Sequence, residues 1–534
     1  MRKWYSMEAR GVLSLSGEMW VEVAERDKVG YLPYEDCTNQ SFVRQRLGRQ
    51  GIVIASSGKA AHLATQLDDI DKFSPASLIG HVGWNEGYFA LPDGTVFSPK
   101  GADAPVVVFA TDQSKCRAAG TTKRWRKRVA RPITGQPIPM FAVMLAFMPP
   151  LLRLSSRTDN FGFDIVGPPG TGKSTIQLLA ASAIGPIGRG HDGANYTLTF
   201  NATLNALEEQ LATHSDLPMF IEDASLFLAD EPAAKRGAAY KAFAFRIGGG
   251  KVKDRLGIPA ERVNRLGFFS SSNESLIALL GEATDTASAA ASRLTTFQLG
   301  NEHRYGVFES IPQGYGSASA FARALIEAAA ANHGLAMRRF LKRLVQARAD
   351  DEAALKRQIA RLVAKFIAKA GVDQDDGSQM RVAEACGLVY AAGVLAQKYR
   401  VVPKSWRCGP AVLACYEKYR VAPTPPVTFK AMLDTLASAP TTVHLGNDRK
   451  ISSKTLDAAE VVVREHRGSR EVLVLAKVVQ KQLPGWSELR KRPDVKALLR
   501  RESGHDTVKV KLHKNLKQRR YYVFVCSAGS EAGP

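Results

Sequence analysis

The residues best suited to chemistry lie in a short run of glycines and prolines that joins a β-rich segment to a helix-forming one. Residues 161–175 read FGFDIVGPPGTGKST and satisfy the pattern G-x-x-x-x-G-K-[ST]. Such a loop wraps phosphates with backbone N–H groups, its lysine reaches the β- and γ-phosphates of ATP, and the next hydroxyl holds Mg²⁺. The predicted phosphate loop consists of Gly167, Pro168, Pro169, Gly170, Thr171, Gly172, Lys173, Ser174 and Thr175.

Two acidic residues follow a later apolar run. LPMFI at 217–221 leads into Glu222 and Asp223, and a parallel strand would deliver both to the carboxyl edge of its sheet. There they can hold the metal together with Ser174 and activate the attacking water. The usual order at this place is Asp then Glu. Because the order here is reversed, either the two roles are exchanged, or Asp223 is the metal-side residue and the base lies elsewhere.

Two more candidate catalytic residues flank apolar strands. RLGFFSSSNES places Asn273 just beyond a strand, where its amide can hold the attacking water against the γ-phosphate. TASAAASRLTTFQLG places Arg293 directly before a strand, from which it can stabilise charge at a neighbouring subunit's nucleotide. The alternatives are an ordinary turn residue for Asn273 and an exposed helix-end arginine for Arg293.

A glycine-rich segment, FRIGGGKVKDRLG, carries Lys251, Lys253 and Arg255 at alternate positions. If the segment is extended, these three cations lie on one side and can grip DNA phosphates from a ring's pore. A solvated basic loop is the equal alternative.

Composition indicates a polyanionic partner for the whole chain. Its 534 residues carry a net charge of +22 with 45% hydrophobic content, which excludes disorder as the main description. The excess is local: residues 401–534 hold 25 basic and 12 acidic side chains, and residues 115–131 hold 8 basic and no acidic ones. A polyanion is therefore the expected partner of these two blocks.

The C-terminal block predicts a helix beginning near Pro493 and two strands joined around residues 514–517. This order suits a winged-helix-like domain with an apolar inner side and a cationic outer side. A surface that only promotes solubility is the alternative. The candidate DNA-binding residues here are Lys496, Arg500, Arg501, Lys509, Lys511, Lys514 and Arg519.

The predicted fold class is multidomain α/β, because short alternating strands precede a βαβ rhythm that gives way to helices. Three prolines in VAPTPPV mark a linker. The predicted segments are a strand-rich α+β accessory domain at 1–110, a basic helical collar at 111–160, a P-loop core at 161–316, a helical lid at 317–420, the linker at 421–428 and the basic domain at 429–534.

The sequence predicts a cytoplasmic protein without a membrane span. The longest apolar run, residues 140–152, is shorter than a spanning helix and contains Pro149 and Pro150, so a buried helix is expected. The N-terminus shows no continuous apolar export signal. Six cysteines without a CxxC pair are expected to be reduced, mostly buried thiols rather than zinc ligands.

With these residues in place, the chain resembles the domain-of-unknown-function 927 family, AAA+-like P-loop ATPases of bacterial mobile elements that are related to self-loading replicative helicases. Besides the phosphate loop, the resemblance rests on GWNEGYFALPDG at 83–94, GQPIPMFAVMLAFMPPLLRL at 135–154, GGGKVKDR at 248–255 and GVFESIP at 306–312. It covers roughly residues 30 to 420. The family pattern also has a tryptophan at Trp125, which predicts that this ring packs inward, while the cations around it line a ring collar or contact DNA.

The resemblance implies an AAA+-type core and a ring, expected to be a hexamer, that couples Mg-ATP hydrolysis to movement along DNA during replication of a mobile element. In that setting Asn273 matches the sensor 1 position, and Arg323 is a candidate sensor 2. Two alternatives stay open. One is an ATP-switched DNA-binding loader or scaffold with little unwinding, and the other is a defence ATPase acting on invading nucleic acid.

Overall fold

A computed structural model describes most of the chain, and its contacts divide it into two compact units. The first comprises Met1–Leu280 with Ser288–Arg420, and the second comprises Gly281–Ala287 with Val421–Pro534. The described residues are 6–109, 111–112, 114–157, 159–188, 195–199, 210–211, 213–222, 242–245, 248–249, 264–273, 293–299, 303–420, 429–446, 451–483, 486–491 and 493–526.

The first unit begins with a four-stranded sheet of order β3-β2-β1-β4, in which β4 alone runs parallel to its neighbour. Its apolar face packs on two helices that are capped by the side chains of Asn39 and Ser56. The elements are β1 Met7–Leu13, β2 Met19–Glu25, β3 Lys28–Pro33, a 3₁₀ turn Tyr34–Asp36, α1 Gln40–Arg49, α2 Ser57–Asp68 and β4 Phe73–Pro75. This part is strand-rich, as the sequence predicts.

Five short strands follow, and three of them join the main core of the unit. The strands are β5 Leu78–Ile79, β6 Gly83–Asn85, β7 Tyr88–Ala90, β8 Val96–Phe97 and β9 Val106–Val107. Trp84 in β6 is buried, its indole N–H donates to the Pro150 carbonyl at 2.9 Å, and its backbone N–H donates to the Asp216 carboxylate at 3.0 Å. Asp216 is fully buried and also pairs with Arg153 at 2.8 Å.

The segment ahead of the phosphate loop is helical and apolar. It contains α3 Thr122–Trp125, which continues as a π-helix Arg126–Ala130, then α4 Pro137–Ala146 and a 3₁₀ helix Pro149–Leu154. α4 is buried on every side after its first residue, as expected for the longest apolar run. Trp125 is fully buried and donates from its indole to Ser182 Oγ at 2.9 Å, which confirms its predicted inward packing.

The centre of the first unit is a five-stranded, fully parallel sheet of order β11-β12-β13-β10-β14. This confirms the predicted α/β class with a parallel core. The order inserts β13 between β10, which leads to the phosphate loop, and β12, which leads to Glu222. The elements are β10 Phe161–Val166, α5 Lys173–Ala181, β11 Leu198–Thr199, β12 Leu217–Glu222, β13 Leu266–Ser272 and β14 Leu294–Gln298.

Five long helices complete the unit and share one hydrophobic core with the parallel sheet. They are α6 Ala318–Ala330, α7 Leu335–Asp350, α8 Glu352–Ala370, α9 Gly377–Lys398 and α10 Cys408–Arg420. Among the residues that the structure describes, no helix combines the length and apolarity that crossing a membrane requires. All six cysteines are free thiols, and five of them are buried.

The second unit is built on a five-stranded mixed sheet of order β15-β16-β17-β19-β18. Only β15 runs parallel to its neighbour. Its elements are α11 Phe429–Ser438, β15 Val443–Leu445, α12 Ser453–Ala458, β16 Val461–His466, β17 Ser469–Leu475, a 3₁₀ turn Ala476–Val478, α13 Val479–Gln482, α14 Trp486–Leu489, α15 Pro493–Leu498, β18 Val508–Val510 and β19 Arg519–Cys526.

This sheet corrects the winged-helix-like prediction for the second unit. The predicted helix and two strands are present as α15, β18 and β19, but the hairpin is only one edge of a larger sheet. Val461, Val463 and Phe524 pack in one apolar cluster, whereas Val462 and Val523 pack in another. Because adjacent strand residues point to opposite faces, both faces of the sheet are covered. A wing with a solvated outer face does not describe this arrangement.

Candidate functional site

The phosphate loop joins a completely buried strand to a helix whose N-terminus has no side-chain cap. All six residues of β10 are buried, and Gly170 and Gly172 take left-handed φ angles of +80° and +91°. Glycine adopts these angles without the strain that a Cβ brings. α5 then starts at Lys173 with Gly172 as its N-cap and no capping side-chain hydrogen bond. Its first backbone N–H groups and its dipole are therefore suited to an anion.

Lys173 is held over the loop by three oxygen atoms. Its ammonium donates to the carbonyls of Gly167 at 2.6 Å and Pro168 at 2.9 Å, and to Asn273 Oδ1 at 3.1 Å. The residue is 8% exposed. These contacts fix the charge beside the loop and join it to the end of β13. An incoming phosphate would replace some of these acceptors, because an ammonium group has three donors.

A cavity of about 470 Å³ lies against the phosphate loop at the carboxyl edge of the parallel sheet. It is lined by residues 169–175 of the loop, by Glu222 after the buried part of β12, and by Asn273 after β13. The structure therefore brings together the loop and two of the four predicted catalytic residues. Two of the predicted loop residues, Gly167 and Pro168, do not line the cavity. Their carbonyls accept hydrogen bonds from Lys173.

Gln177 ties α5 to the two strands that carry Glu222 and Asn273. It is fully buried, and its amide donates to the carbonyls of Ile221 at 3.0 Å and Phe269 at 3.1 Å. Its carbonyl accepts from Ser271 Oγ at 2.8 Å. One side chain thus sets the spacing between the helix that holds Ser174 and the ends of both strands.

The GVFESIP segment at 306–312 packs directly on the phosphate loop. The Val307 N–H donates to the Thr171 carbonyl at 2.9 Å, and Gly306 has a φ of +64°. A Cβ at Gly306 would collide with the Thr171 backbone. Gln136, from GQPIP, accepts from the Glu309 N–H at 2.7 Å and donates to the Ser310 carbonyl at 2.9 Å. Two motifs of unknown role in the sequence therefore support the phosphate loop.

The same cavity has an apolar side away from the carboxylate. Tyr305 and Phe308 line it together with Ala318 and Ala322 of α6. An aromatic and aliphatic wall next to a phosphate loop suits the flat base of a nucleotide. Arg323 lies one residue beyond this face of α6 and is exposed, so the structure does not bring it to the cavity.

A buried carboxyl group lies beneath the loop in β10. Asp164 is fully buried and accepts hydrogen bonds from Ser270 Oγ at 2.6 Å and Ser272 Oγ at 3.2 Å. Burial raises its pKa from 3.8 to about 6, although the two hydroxyls and the charge of Lys173 act in the opposite direction. This part of the site is therefore sensitive to protonation in a mildly acidic range.

Arg293 lies at the opposite edge of the sheet from the cavity. It directly precedes β14, and its carbonyl accepts from the Gly162 N–H at the start of β10 at 2.8 Å. The length of β10 separates that point from the loop by roughly 15 Å. Its guanidinium stacks over Phe245 at 5.0 Å. This placement argues against a role at its own chain's cavity and leaves the role in trans a prediction.

Four of the predicted site residues lie outside the described part of the chain. They are Asp223, Lys251, Lys253 and Arg255.

The oxygen donors around the cavity fit a magnesium ion. Ser174 supplies a hydroxyl and Glu222 a carboxylate, and both residues line the same cavity. Hard divalent cations such as Mg²⁺ prefer oxygen ligands, usually one or two carboxylates together with phosphate oxygens.

The predicted DNA-binding residues of the second unit divide into two groups. Three arginines are engaged with carboxylates: Arg500 with Glu471 at 3.0 Å, Arg501 with Asp506 at 3.0 Å, and Arg519 with Asp457. The lysines are exposed, and within the described residues they form no ion pair. These lysines are Lys496, Lys509, Lys511 and Lys514. In β18, Lys509 points outward between buried Val508 and Val510, as the alternating pattern predicts.

Sequence reasoning missed four residues that shape the site, namely Gln136, Asp164, Gln177 and Gly306. Two of them carried a detectable signal: Asp164 is the one charged residue in the strand FGFDIV, and Gln177 is a polar residue inside the apolar run IQLLAA. A polar residue within such a run indicates a buried hydrogen-bonded role. The other two depend on contacts between distant segments.

Taken with its parallel sheet, the glycine loop defines an α/β protein of helicase-like fold. The solved structure entitled "SCCmec type IV Cch - active helicase" aligns with 97% of this chain and 93% of its own, with a TM-score of 0.57 and 14% identity. At that identity the likeness shows the fold alone.

Residues 32–255 match the family described as "Domain of unknown function (DUF927)", in agreement with the motifs. Two structures of JCV helicase are also similar over 47% of this chain, with TM-scores of 0.21 and 0.20 and identities of 16% and 15%. They cover 66% and 65% of those chains. No curated protein matches the sequence.

Proposed function

We propose that the chain is an ATP-dependent DNA helicase or translocase with an AAA+-type core. It would work as a homo-oligomeric ring, with a hexamer expected, in replication of a mobile element. The observation that carries the proposal is the single cavity shared by the phosphate loop, Lys173, Glu222 and Asn273. The fold shared with the structure entitled "SCCmec type IV Cch - active helicase" supports it.

Each residue around the cavity has a distinct task in this proposal. Lys173 neutralises the β- and γ-phosphates, and the backbone N–H groups at the start of α5 bind their oxygens. Asn273 accepts a hydrogen bond from Lys173. In this proposal its amide positions the attacking water. Glu222, with Asp223, accepts the proton of that water or orients the metal. Mg²⁺ bound by Ser174 and these acids would draw charge from the phosphates in the transition state.

A substitution at Glu222 tests the proposed hydrolysis. Glu222→Gln should retain ATP binding but lose most of the DNA-stimulated hydrolysis, on the order of 100-fold, because the amide can neither accept the proton nor neutralise a metal. Glu327→Gln, on the exposed face of α6, is the matched control and should hydrolyse normally. Equal rates for Glu222→Gln and wild type would overturn the proposal.

The proposed ring has its own test in mixed subunits. Arg293→Ala subunits keep an intact cavity, whereas Lys173→Ala subunits keep Arg293. If the arginine acts on the neighbouring subunit, mixing the two inactive variants should recover part of the ATPase activity. A mixture that stays as inactive as its components argues against the role in trans.

The reversed order Glu222–Asp223 favours one alternative, an ATP-switched DNA-binding loader or scaffold with little unwinding. Strand displacement on forked DNA separates the two functions. ATP hydrolysis with displacement supports the helicase, and hydrolysis without displacement supports the loader.

A further inference from the structure

Four arginines from three separate elements of the first unit come together at the end of α9. Arg126 lies in the π-helix after α3, Arg339 and Arg343 are one turn apart in α7, and Arg400 follows α9. Arg126 donates to the Arg400 carbonyl at 2.5 Å, and Arg339 donates to the Tyr399 carbonyl at 2.9 Å. We call these four residues the arginine patch.

Two of these contacts have a structural explanation. The carbonyls at the C-terminal end of a helix lack partners within the helix and carry partial negative charge. Arg126 and Arg339 satisfy carbonyls of this kind after α9. A guanidinium has five N–H donors, and each contact uses one of them. Capping therefore accounts for the position of two arginines, but it does not use most of their donors.

The rest of the charge is not paired with any carboxylate that the structure describes. Within the described residues, none of the four arginines forms an ion pair. Arg339 and Arg343 are spaced i,i+4 on α7, and like charges at this spacing destabilise a helix. Partial burial and the charges of Arg343, Arg126 and Arg400 lower the pKa of Arg339. An anion bound here would relieve this repulsion.

The backbone of Arg400 adds an independent observation. It has a φ of +57° at the position after the helix end, where glycine is the favoured residue. Arg400 is nevertheless exposed. A long cation in a left-handed conformation is uncommon, and the fold would be better served by glycine. This indicates that the guanidinium of Arg400 binds another molecule.

We propose that the arginine patch binds the phosphate backbone of DNA, as a contact surface of the first unit separate from the basic domain at 429–534. The proposal rests on the proposed function for its choice of DNA as the polyanion. Exposed Lys123, Arg124, Lys127 and Arg128 extend the basic sequence around Arg126. Planar guanidiniums from three elements offer spaced donors that suit successive phosphates.

The surroundings favour a phosphate backbone over an acidic protein. Protein interfaces carry an apolar or aromatic centre. The large hydrophobic residues that are strongly exposed in the described chain are Met19, Val29, Val53 and Val106, none of which belongs to α3, α7 or α9. A surface with dense positive charge and no apolar anchor is typical of contacts to phosphates.

A double substitution in the full chain tests the proposal. Arg343→Ala with Arg400→Gly removes two charges without removing the helix-capping contacts, and glycine suits the left-handed backbone. Fluorescently labelled duplex DNA should bind on the order of tenfold more weakly at moderate salt, and the slope of log affinity against log salt should fall by about 1.8. The control, Arg357→Ala with Arg361→Ala, removes two exposed charges from α8 and should leave both values near wild type.

The outcomes separate this proposal from the proposed function. If wild type binds DNA and the patch variant retains its affinity and salt slope, the arginine patch is not a DNA surface and the helicase proposal stands. If wild type binds no DNA, the proposed function is overturned, and the assignment of DNA to the arginine patch is overturned with it. If labelled poly-glutamate binds wild type more tightly than duplex DNA at equal charge concentration, and the patch variant loses that preference, the surface binds acidic peptide and the DNA assignment is overturned. Thermal unfolding should show the patch variant at least as stable as the control.

Discussion

Lys173 in the first unit and Lys511 in the second carry the same charge in very different surroundings. Lys173 is almost buried, and its ammonium donates to three oxygens of the phosphate loop and β13. Lys511 is exposed just after the short strand β18, and it forms no ion pair with any residue that the structure describes.

The contrast extends to the neighbours of each lysine. Gln177 and Gly306 fix the elements around the cavity in the first unit, so that each cavity residue depends on a second residue behind it. In the second unit the predicted lysines are exposed and form no ion pair with a described residue, so each contributes mainly its own charge. Nucleotide binding or hydrolysis in the cavity should therefore be largely lost when one of the cavity residues is changed. DNA binding by a basic surface should instead weaken by a small and nearly additive amount for each residue changed.

The largest effect is expected at Lys173. Lys173→Ala should reduce ATP affinity by roughly 1,000-fold, about 4 kcal/mol, because the variant leaves the phosphates without their enclosed counter-charge. Isothermal titration measures the affinity, and exposed Lys404→Ala serves as the control. A loss of ATP affinity below about tenfold would show that Lys173 contributes no more than one charge of an exposed basic surface.

Asp164 gives the cavity a pH dependence of known sign. The pKa of Asp164 in the folded protein is about 6, above the ordinary 3.8. The free energy of unfolding of wild type therefore falls as pH rises between these two values, and the whole loss is present above pH 6. Asp164→Asn should therefore be more stable than wild type by up to about 3 kcal/mol at pH 8 and nearly equal to it below about pH 4. Urea unfolding across this range checks the difference, and a difference that does not vary with pH contradicts the assignment.

Gly306 tests whether the GVFESIP segment supports the loop. Gly306→Ala should weaken ATP binding by about 30-fold, about 2 kcal/mol, because its Cβ would push against Thr171. Gly371→Ala is a close control, since Gly371 has a φ of +60° but no atom near the added Cβ. Both variants should lose stability in thermal unfolding because of the left-handed backbone, and Gly306→Ala should lose more because of its contact with Thr171. Similar ATP affinity for the two variants would show that strain alone is responsible.

Gln177 should affect turnover more than binding. Gln177→Leu removes the amide that ties α5 to β12 and β13, so kcat for ATP hydrolysis should fall about tenfold while ATP affinity changes less than about twofold. Gln397→Leu is the matched control, because Gln397 also donates to backbone carbonyls but lies beyond the cavity. A parallel loss in both variants would indicate general destabilisation.

The smallest effects are expected on the basic surface of the second unit. Lys511→Ala should weaken DNA binding about threefold and lower the salt slope by about 0.9. Arg519→Ala should change DNA affinity by less than about twofold, because Asp457 already neutralises that arginine. Fluorescence anisotropy at several salt concentrations compares them. A larger loss for Arg519 would show that the ion pair opens on DNA.

The sequence predicts features that depend on neighbouring residues, and it does not predict features that depend on residues far apart in the chain. The phosphate loop, Glu222 and Asn273 are predicted because each lies at or just after the end of its own strand, and strand ends meet at one edge of a parallel sheet. The contact of Gly306 with Thr171 joins segments far apart in the chain, so that no local pattern reveals it.

The second unit shows the same limit in its sheet and its charges. Local alternation predicts the helix and the hairpin, but it does not predict the other three strands of the sheet or the packing of both its faces. Counting charges also overestimates the free cations, because Arg500 is paired with Glu471 from a distant strand. Net charge is a property of composition, and pairing is a property of the fold.

The contact between Trp84 and Asp216 bears on how this protein can be rearranged in evolution. The hairpin that begins at Gly83 supplies an N–H to a buried carboxylate at the amino end of β12, and a Cβ at Gly83 would collide with that carboxylate. A recombination event that exchanges the first sheet, residues 7–75, leaves this contact intact. One that also replaces residues 83–97 must keep a glycine at position 83, so homologues should tolerate exchange of residues 7–75 more readily than exchange of residues 83–97.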